Sequence, residues 1–315
     1  MTLDADVKSF LDQMVAMNMP PPYKMPIEAS RGMPAEQRAL MDMPREEVGR
    51  RLERTVPGPA GPIPVRIYWP AAAERGNPIG VLVMFHGGGF ALGDLDTFEG
   101  TVRYYCNHAE VVVVDVDYRL APENKFPAAV EDCFAALCWV SDNAAELGVD
   151  ADRLAVSGGS AGATLTIVCC LLAKERGGPE IALQVPVLPS LTFEQDPPYP
   201  SRAELDDDYY GLSRETIQWF ADMYLGKPGD ALDVRASPIL APDYTGLPPA
   251  LVITGGYCPF RDEGRHYADR LREDGVDVEY TCYEGASHAA MAIPAMVGAA
   301  HKCVEQVTEF LQKRL

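Results

Sequence analysis

From Val81 onward the chain alternates short apolar runs with segments of helical period, and few architectures accommodate that pattern. Val81 to Phe85, Val111 to Val116, Leu154 to Val156, Leu183 to Leu188 and Leu251 to Thr254 are apolar runs, each followed by a turn. Between two of them Val130, Cys133, Phe134, Leu137 and Val140 recur at helical spacing, as a crossover helix packed on a sheet requires. The alternation predicts a mainly parallel sheet flanked by helices. Upstream, the Pro/Gly-rich stretch from Pro57 to Pro64 leads into Val65 to Trp69, whose alternation suits an antiparallel strand with one wet face, and the core begins there. Val276 to Tyr283 is the last strand, and Val304, Val307 and Leu311 mark a final helix.

Two segments fall outside the alternation. In the first 45 residues Val7, Phe10, Leu11 and Met14 share one helical face ahead of the breaker cluster Pro20-Pro21-Pro22. Residues 194–225 hold an acidic, proline- and tyrosine-rich loop and then a helix with Ile217, Trp219 and Phe220. Uncommitted stretches of that length are more often functional than idle, so both segments are expected to form a cap, with Met14, Tyr209, Tyr210 and Trp219 as pocket-lining candidates. Residues 1–315 are expected to form one domain, since α/β folds of this size commonly stay a single unit and 47% of the residues are apolar.

A formal net charge of -19 repels phosphates and acidic headgroups, which argues against nucleic-acid and membrane partners and favours a neutral or cationic ligand. Asp4, Asp6 and Asp12 stand where a signal peptide would be basic and then apolar, so a cytoplasmic location is expected. The eight cysteines include no C-x-x-C pair, and Cys133, Cys138, Cys169 and Cys170 lie in apolar segments, reading as small buried hydrophobes in the reduced state.

The chemistry is carried by two glycine-rich turns. Gly158-Gly159-Ser160-Ala161-Gly162 follows the strand Leu154 to Val156 and precedes a helical pattern, the context of a G-x-S-x-G nucleophile elbow, in which a strained serine exposes its hydroxyl at a helix N-terminus. Ser157 is on the strand side of the turn. His86-Gly87-Gly88-Gly89-Phe90 follows the strand Val81 to Phe85, and three glycines let backbone N–H groups approach an oxyanion. A phosphate loop would need the spaced glycines and lysine that are missing here.

Together with Asp117-Tyr118-Arg119-Leu120-Ala121-Pro122-Glu123, these motifs, in this order, resemble the hormone-sensitive-lipase-like carboxylesterases of the α/β-hydrolase superfamily. The resemblance runs from about Val65 to the C-terminus. It implies an α/β-hydrolase fold with a helical cap, short- to medium-chain ester substrates, no metal or organic cofactor, and often a homodimer. By matching positions it makes Ser160 the nucleophile, His288 in Gly285-Ala286-Ser287-His288 the base, and Gly88, Gly89 and Ala161 the oxyanion donors, with His86 bracing the loop. His108 and His301 sit in helical patterns, and His266 falls in the helix after the Cys258 turn.

One position departs from the resembled pattern. The family opens the run after its penultimate strand with aspartate, the triad acid, whereas this chain reads Cys258-Pro259-Phe260-Arg261-Asp262-Glu263. Removing the carboxylate from such a triad costs about 10⁴ in kcat in a serine protease. Three readings follow in order of preference: an impaired hydrolase, recruitment of Asp262 as a fallback acid, and a Cys258 thiolate beside protonated His288. A Cys258–Cys282 disulfide conflicts with a reducing compartment. The alternatives to an esterase are a ligand-binding protein that has lost turnover and an amidase, since these motifs specify acyl transfer but not the leaving group.

Overall fold

The alternation becomes one eight-stranded sheet in the computed structural model, which describes residues 2–18, 20–72 and 78–315. The strands are β1 (Arg50–Gly58), β2 (Gly61–Trp69), β3 (Ile79–Phe85), β4 (Val112–Val116), β5 (Val149–Gly159), β6 (Leu183–Val187), β7 (Ala250–Tyr257) and β8 (Val278–Ser287). Their spatial order is β1-β2-β4-β3-β5-β6-β7-β8. β2 pairs antiparallel with β1 and β4, and every pair from β4 to β8 is parallel. The longer helices are α1 (Ala5–Ala16), α2 (Glu99–His108), α3 (Ala128–Asp142), α4 (Ala161–Arg176), α5 (Arg214–Tyr224), α6 (Arg261–Glu273) and α7 (Gly298–Arg314). No helix among the described residues is long and apolar enough to cross a membrane.

The inner strands are mostly buried and largely apolar because helices cover both faces, with Asp115, Gln184 and Thr254 among the buried exceptions. Val81, Val83 and Phe85 of β3 join the core under α3, α4 and α6, while Leu82 and Met84, pointing the other way, pack with Val102 and Cys106 of α2 and Val307 and Leu311 of α7. After β3 the chain adds β4 on one side and then returns to add β5 on the other, so the sequence order reverses between β3 and β5. Ligands of open α/β sheets bind beyond the strand ends at such a point. Phe85 and Gly158 are register partners there, so the glycine loop and the serine turn leave the sheet side by side.

The sequence reading missed β1. Its residues are mostly exposed and carry Arg50, Arg51, Glu53 and Arg54, because an edge strand buries little of either face. The lead-in from Pro57 to Pro64 is therefore the β1–β2 hairpin, with Pro57 opposite Pro62. The last strand runs four residues beyond its expected end and stops immediately before His288. Of the expected cap, α1 lays Val7 and Leu11 on Ala286, Ala290, Ile293 and Val297, and the amide of Asp4 donates to the Gly285 carbonyl at 3.0 Å. Two hydroxyls tie the N-terminal segment to residues 194–225: Tyr209 Oη donates to Asp12 and Tyr23 Oη to Asp208, both at 3.0 Å.

Candidate active site

Ser160 sits between the end of β5 and the first turn of α4, with φ 54° and ψ -117°. A residue other than glycine is held in that region only when its surroundings dictate it. Here the Ser160 amide donates to the Val187 carbonyl at 2.8 Å, and the Ser160 carbonyl accepts from Ala163 at 3.0 Å. The turn is also pressed against the end of β3. A Cβ on Gly162 would lie 2.0 Å from the Phe85 carbonyl oxygen, and one on Gly158 would lie 2.5 Å from the same atom. Ser157 is buried and donates to the Val185 carbonyl at 2.9 Å, which removes it from the chemistry.

The loop after His86 is braced from the segment that resembles the family's supporting motif. Tyr118 stacks on the His86 ring at 4.2 Å and donates its hydroxyl to the His86 carbonyl at 2.7 Å, while His86 Nδ1 lies 2.9 Å from the Gly87 carbonyl. Burial holds the His86 imidazole below its ordinary pKa, consistent with a neutral, bracing ring. Arg119 in turn is fixed on Asp132 of α3 by its amide and its guanidinium, at 3.0 and 2.7 Å. Gly89 has φ +59°, and a Cβ there would meet the Phe220 ring at 2.2 Å, so α5 of the 194–225 segment lies directly on this loop. Among the described residues no acceptor is bonded to the amides of Gly88, Gly89 or Ala161.

His288 is brought to Ser160 by the end of β8. Its Nε2 lies 3.0 Å from Ser160 Oγ, and its Nδ1 lies 3.1 Å from Cys258 Sγ. Ser160, His288 and Cys258 thus form a continuous hydrogen-bonded row. Cys258 is fully buried in an apolar cluster with Leu188, Leu212 and Phe260, against which Ile217 and Met291 pack. That burial pushes its thiol far above the ordinary range, and burial together with the nearby Arg202 charge pushes His288 down to about 4. Both shifts favour the neutral pair over the thiolate–imidazolium form of Cys258 and His288.

Asp262 does not serve as the fallback acid either. Its carboxylate accepts from the Ser201 amide at 2.8 Å and from Arg261 Nε at 2.8 Å, and it makes no bond to His288. The remaining histidines lie apart from the row: His108 on Glu46 at 3.0 Å, His301 near Glu305 at 3.7 Å, and His266 beside Tyr199. All eight cysteines are free, and Cys138 is only partly buried where full burial was expected. Among the lining candidates, Met14 is exposed, Tyr209 is engaged with Asp12, Tyr210 packs on Tyr257, and Trp219 packs on Phe220.

Sequence reasoning missed the charged pair behind Cys258. Arg202 donates to the fully buried Glu263, whose other oxygen accepts from the Leu191 amide at 2.7 Å. The two residues are 61 positions apart, and no local pattern links them.

Residues 82–292 match the family model described as alpha/beta hydrolase fold, a span that includes the glycine loop, Ser160, Cys258 and His288. The chain is 38% identical over 287 residues to the esterase LipI of Mycobacterium tuberculosis, covering 89% of this chain and 87% of that protein. It belongs to the hormone-sensitive-lipase-like carboxylesterases of the α/β-hydrolase superfamily. An arylesterase of Saccharolobus solfataricus is 35% identical over 294 residues, covering 93% and 94% of the two chains. Among solved structures, a hyperthermophilic esterase of Pyrobaculum calidifontis superposes with TM-score 0.92 at 36% identity over 99% of both chains. An ester hydrolase from the metagenome of Lake Arreo, solved with a bipyridine phosphonate derivative, superposes with TM-score 0.93 at 34% identity, again over 99% of both. As a carboxylesterase, the chain is an enzyme, and its row of Ser160, His288 and Cys258 invites a mechanistic reading.

Proposed function

We propose that this carboxylesterase works through an acyl-enzyme on Ser160, with His288 as base and Gly88, Gly89 and Ala161 as oxyanion donors, at a rate held down by Cys258. The observation that carries the reading is the 3.0 Å contact between Ser160 Oγ and His288 Nε2 at the sheet's switch point. His288 Nε2 takes the serine proton as Oγ attacks the ester carbonyl, and the oxygen that gains charge is met by the backbone amides of the two glycine-rich turns. The imidazolium then gives its proton to the departing alcohol. Water, deprotonated by the same nitrogen, attacks the acyl-enzyme and releases the acid.

Base catalysis at Nε2 requires the other ring nitrogen, Nδ1, to carry the proton. A carboxylate at the third position would enforce that tautomer and stabilise the imidazolium. A neutral thiol does neither well, because its sulfur is a weak acceptor and its S–H can donate to Nδ1 and select the wrong tautomer. Turnover is therefore expected below that of a complete triad, while binding and the oxyanion amides keep a residual rate. The 194–225 segment and the N-terminal segment together form the cap: Phe220 lies on Gly89, and Ile217 lines both the Cys258 cluster and a neighbouring cavity of about 160 Å³.

A second reading, a hydrolase-fold binding protein without turnover, is favoured by the same missing carboxylate. Mass spectrometry after treatment with a serine-directed phosphonate separates the two. Stoichiometric labelling lost in Ser160→Ala, with ester hydrolysis above buffer, supports the enzyme; an unlabelled wild-type protein that hydrolyses nothing supports the binding protein.

A further inference from the structure

If a neutral thiol cannot firmly orient His288, something else must, because the imidazole still meets Ser160 at 3.0 Å. The ring has a second neighbour. Phe260 stands edge-on against the His288 ring, with centroids 5.2 Å apart and planes at 90°. Phe260 is itself covered on its face by the Arg202 guanidinium, whose central carbon lies 4.5 Å from the ring centroid.

The guanidinium is held by hydrogen bonds of its own. Arg202 Nε is bonded to Glu263, and its Nη2 donates to the Thr192 carbonyl at 3.2 Å. Glu263 is fully buried and anchored to the Leu191 amide at 2.7 Å. Residues beside Arg202 hold the same turn: Ser201 Oγ donates to the Pro259 carbonyl at 2.8 Å, and Arg261 donates to Glu204 at 3.0 Å. The charged groups in this corner are Arg202 and Glu204 from the capping segment and Arg261, Asp262 and Glu263 from the turn into α6. Of these, Arg202 is the one whose charge acts on His288.

We propose that Arg202 is a positioning residue, holding His288 in line with Ser160 through Phe260 and so supplying orientation that the third residue of the row does not. Planarity matters to this role. Arginine can lie flat on an aromatic face while forking to Glu263 and Thr192, whereas lysine carries the same charge as a point with no face. The inference rests on the hydrolase reading and goes beyond it, since Arg202 is assigned no contact with the ester.

A double-mutant cycle tests it, using a small aryl acetate and the wild-type protein, Arg202→Lys, Cys258→Asp and the double variant. In the Cys258 background Arg202→Lys is expected to lower kcat about tenfold with KM unchanged, as a modest misplacement of a catalytic group does. In the Cys258→Asp background the same change should cost less than about twofold, because a carboxylate then orients the ring. Lysine keeps the positive charge, so the acid limb of the pH profile should not move between wild type and Arg202→Lys. Equal penalties in both backgrounds, or a loss carried wholly by KM, would overturn the proposal and leave the hydrolase reading standing. Absence of phosphonate labelling at Ser160 in the wild type would overturn the hydrolase reading and the proposal with it. Circular dichroism and thermal melting check each variant; should Arg202→Lys fail to fold, Phe260→Leu takes its place and must give the same pattern.

Discussion

At the level of single residues, the proposed mechanism turns on Cys258, which stands 3.1 Å from His288 Nδ1 where a triad carboxylate would be. Cys258→Asp is expected to raise kcat by a few orders of magnitude, bounded by the roughly 10⁴ that a triad carboxylate contributes in a serine protease. The pH profile should change with it. His288 is pushed down to about 4 by burial and by Arg202, so in the wild-type protein the imidazole is neutral and available through most of the acidic range, but it is a weak base. An anion beside Nδ1 favours the imidazolium, so the acid limb of kcat/KM should move to higher pH in Cys258→Asp as kcat rises. Stopped-flow hydrolysis of an aryl ester across pH 3 to 9 measures both; an unchanged rate and an unmoved limb would show that the thiol does not limit turnover. Wild-type turnover should also show a burst of aryl alcohol. Both steps use His288 as base, but an aryl ester is a better electrophile than the serine alkyl ester of the acyl-enzyme, so acylation outruns deacylation and the acyl-enzyme accumulates.

Secondary-structure elements supply the positions that the residues only occupy. Ser160 and the glycine loop were readable from sequence because each motif carries its own backbone chemistry and follows an apolar run of strand length. His288 was readable for a different reason: it follows the last strand, and chain order put it after the serine. The partners of Phe260, Arg202 and Glu263 were not readable, since their contact joins the short helix Pro200–Glu204 to the turn into α6, and such a contact leaves no periodic trace. Asp262 misled for the opposite reason, being close to Cys258 in sequence but bonded to Ser201 and Arg261 in space. The N-terminal helix shows the same limit. Its apolar face was visible, but not that it would cover the segment just after His288. Leu11 is buried there against Ala290 and Ile293, so Leu11→Ala is expected to destabilise the fold by about 2–5 kcal/mol, as deletion of a packed leucine side chain does. Urea unfolding followed by tryptophan fluorescence reads that loss, and kcat should fall with it as the support beneath His288 loosens. A loss below about 0.5 kcal/mol would mean that α1 is dispensable to the core.

For the molecule as a whole, the sheet order brings two motifs more than 70 positions apart to one pair of strand ends, and the charge of the chain sets what reaches them. The net charge is -19, yet the row itself is built from neutral groups and Arg202 is paired with Glu263, so the excess comes from acidic residues elsewhere in the chain. Glu194 and Asp196 border the cavity beneath α5, and both are exposed. A field of that sign raises the local concentration of cations at the mouth and lowers that of anions, and it acts on encounter more than on the chemical step. Matched short esters bearing a trimethylammonium or a sulfonate group should therefore differ in kcat/KM in favour of the cation, with kcat close to equal. Raising the salt from about 0.01 M to about 1 M shrinks the Debye length from about 30 Å to about 3 Å and should collapse most of the difference. A preference for the cationic ester that survives high salt would instead place a specific anionic contact inside the site, with Glu194 the first residue to replace by glutamine.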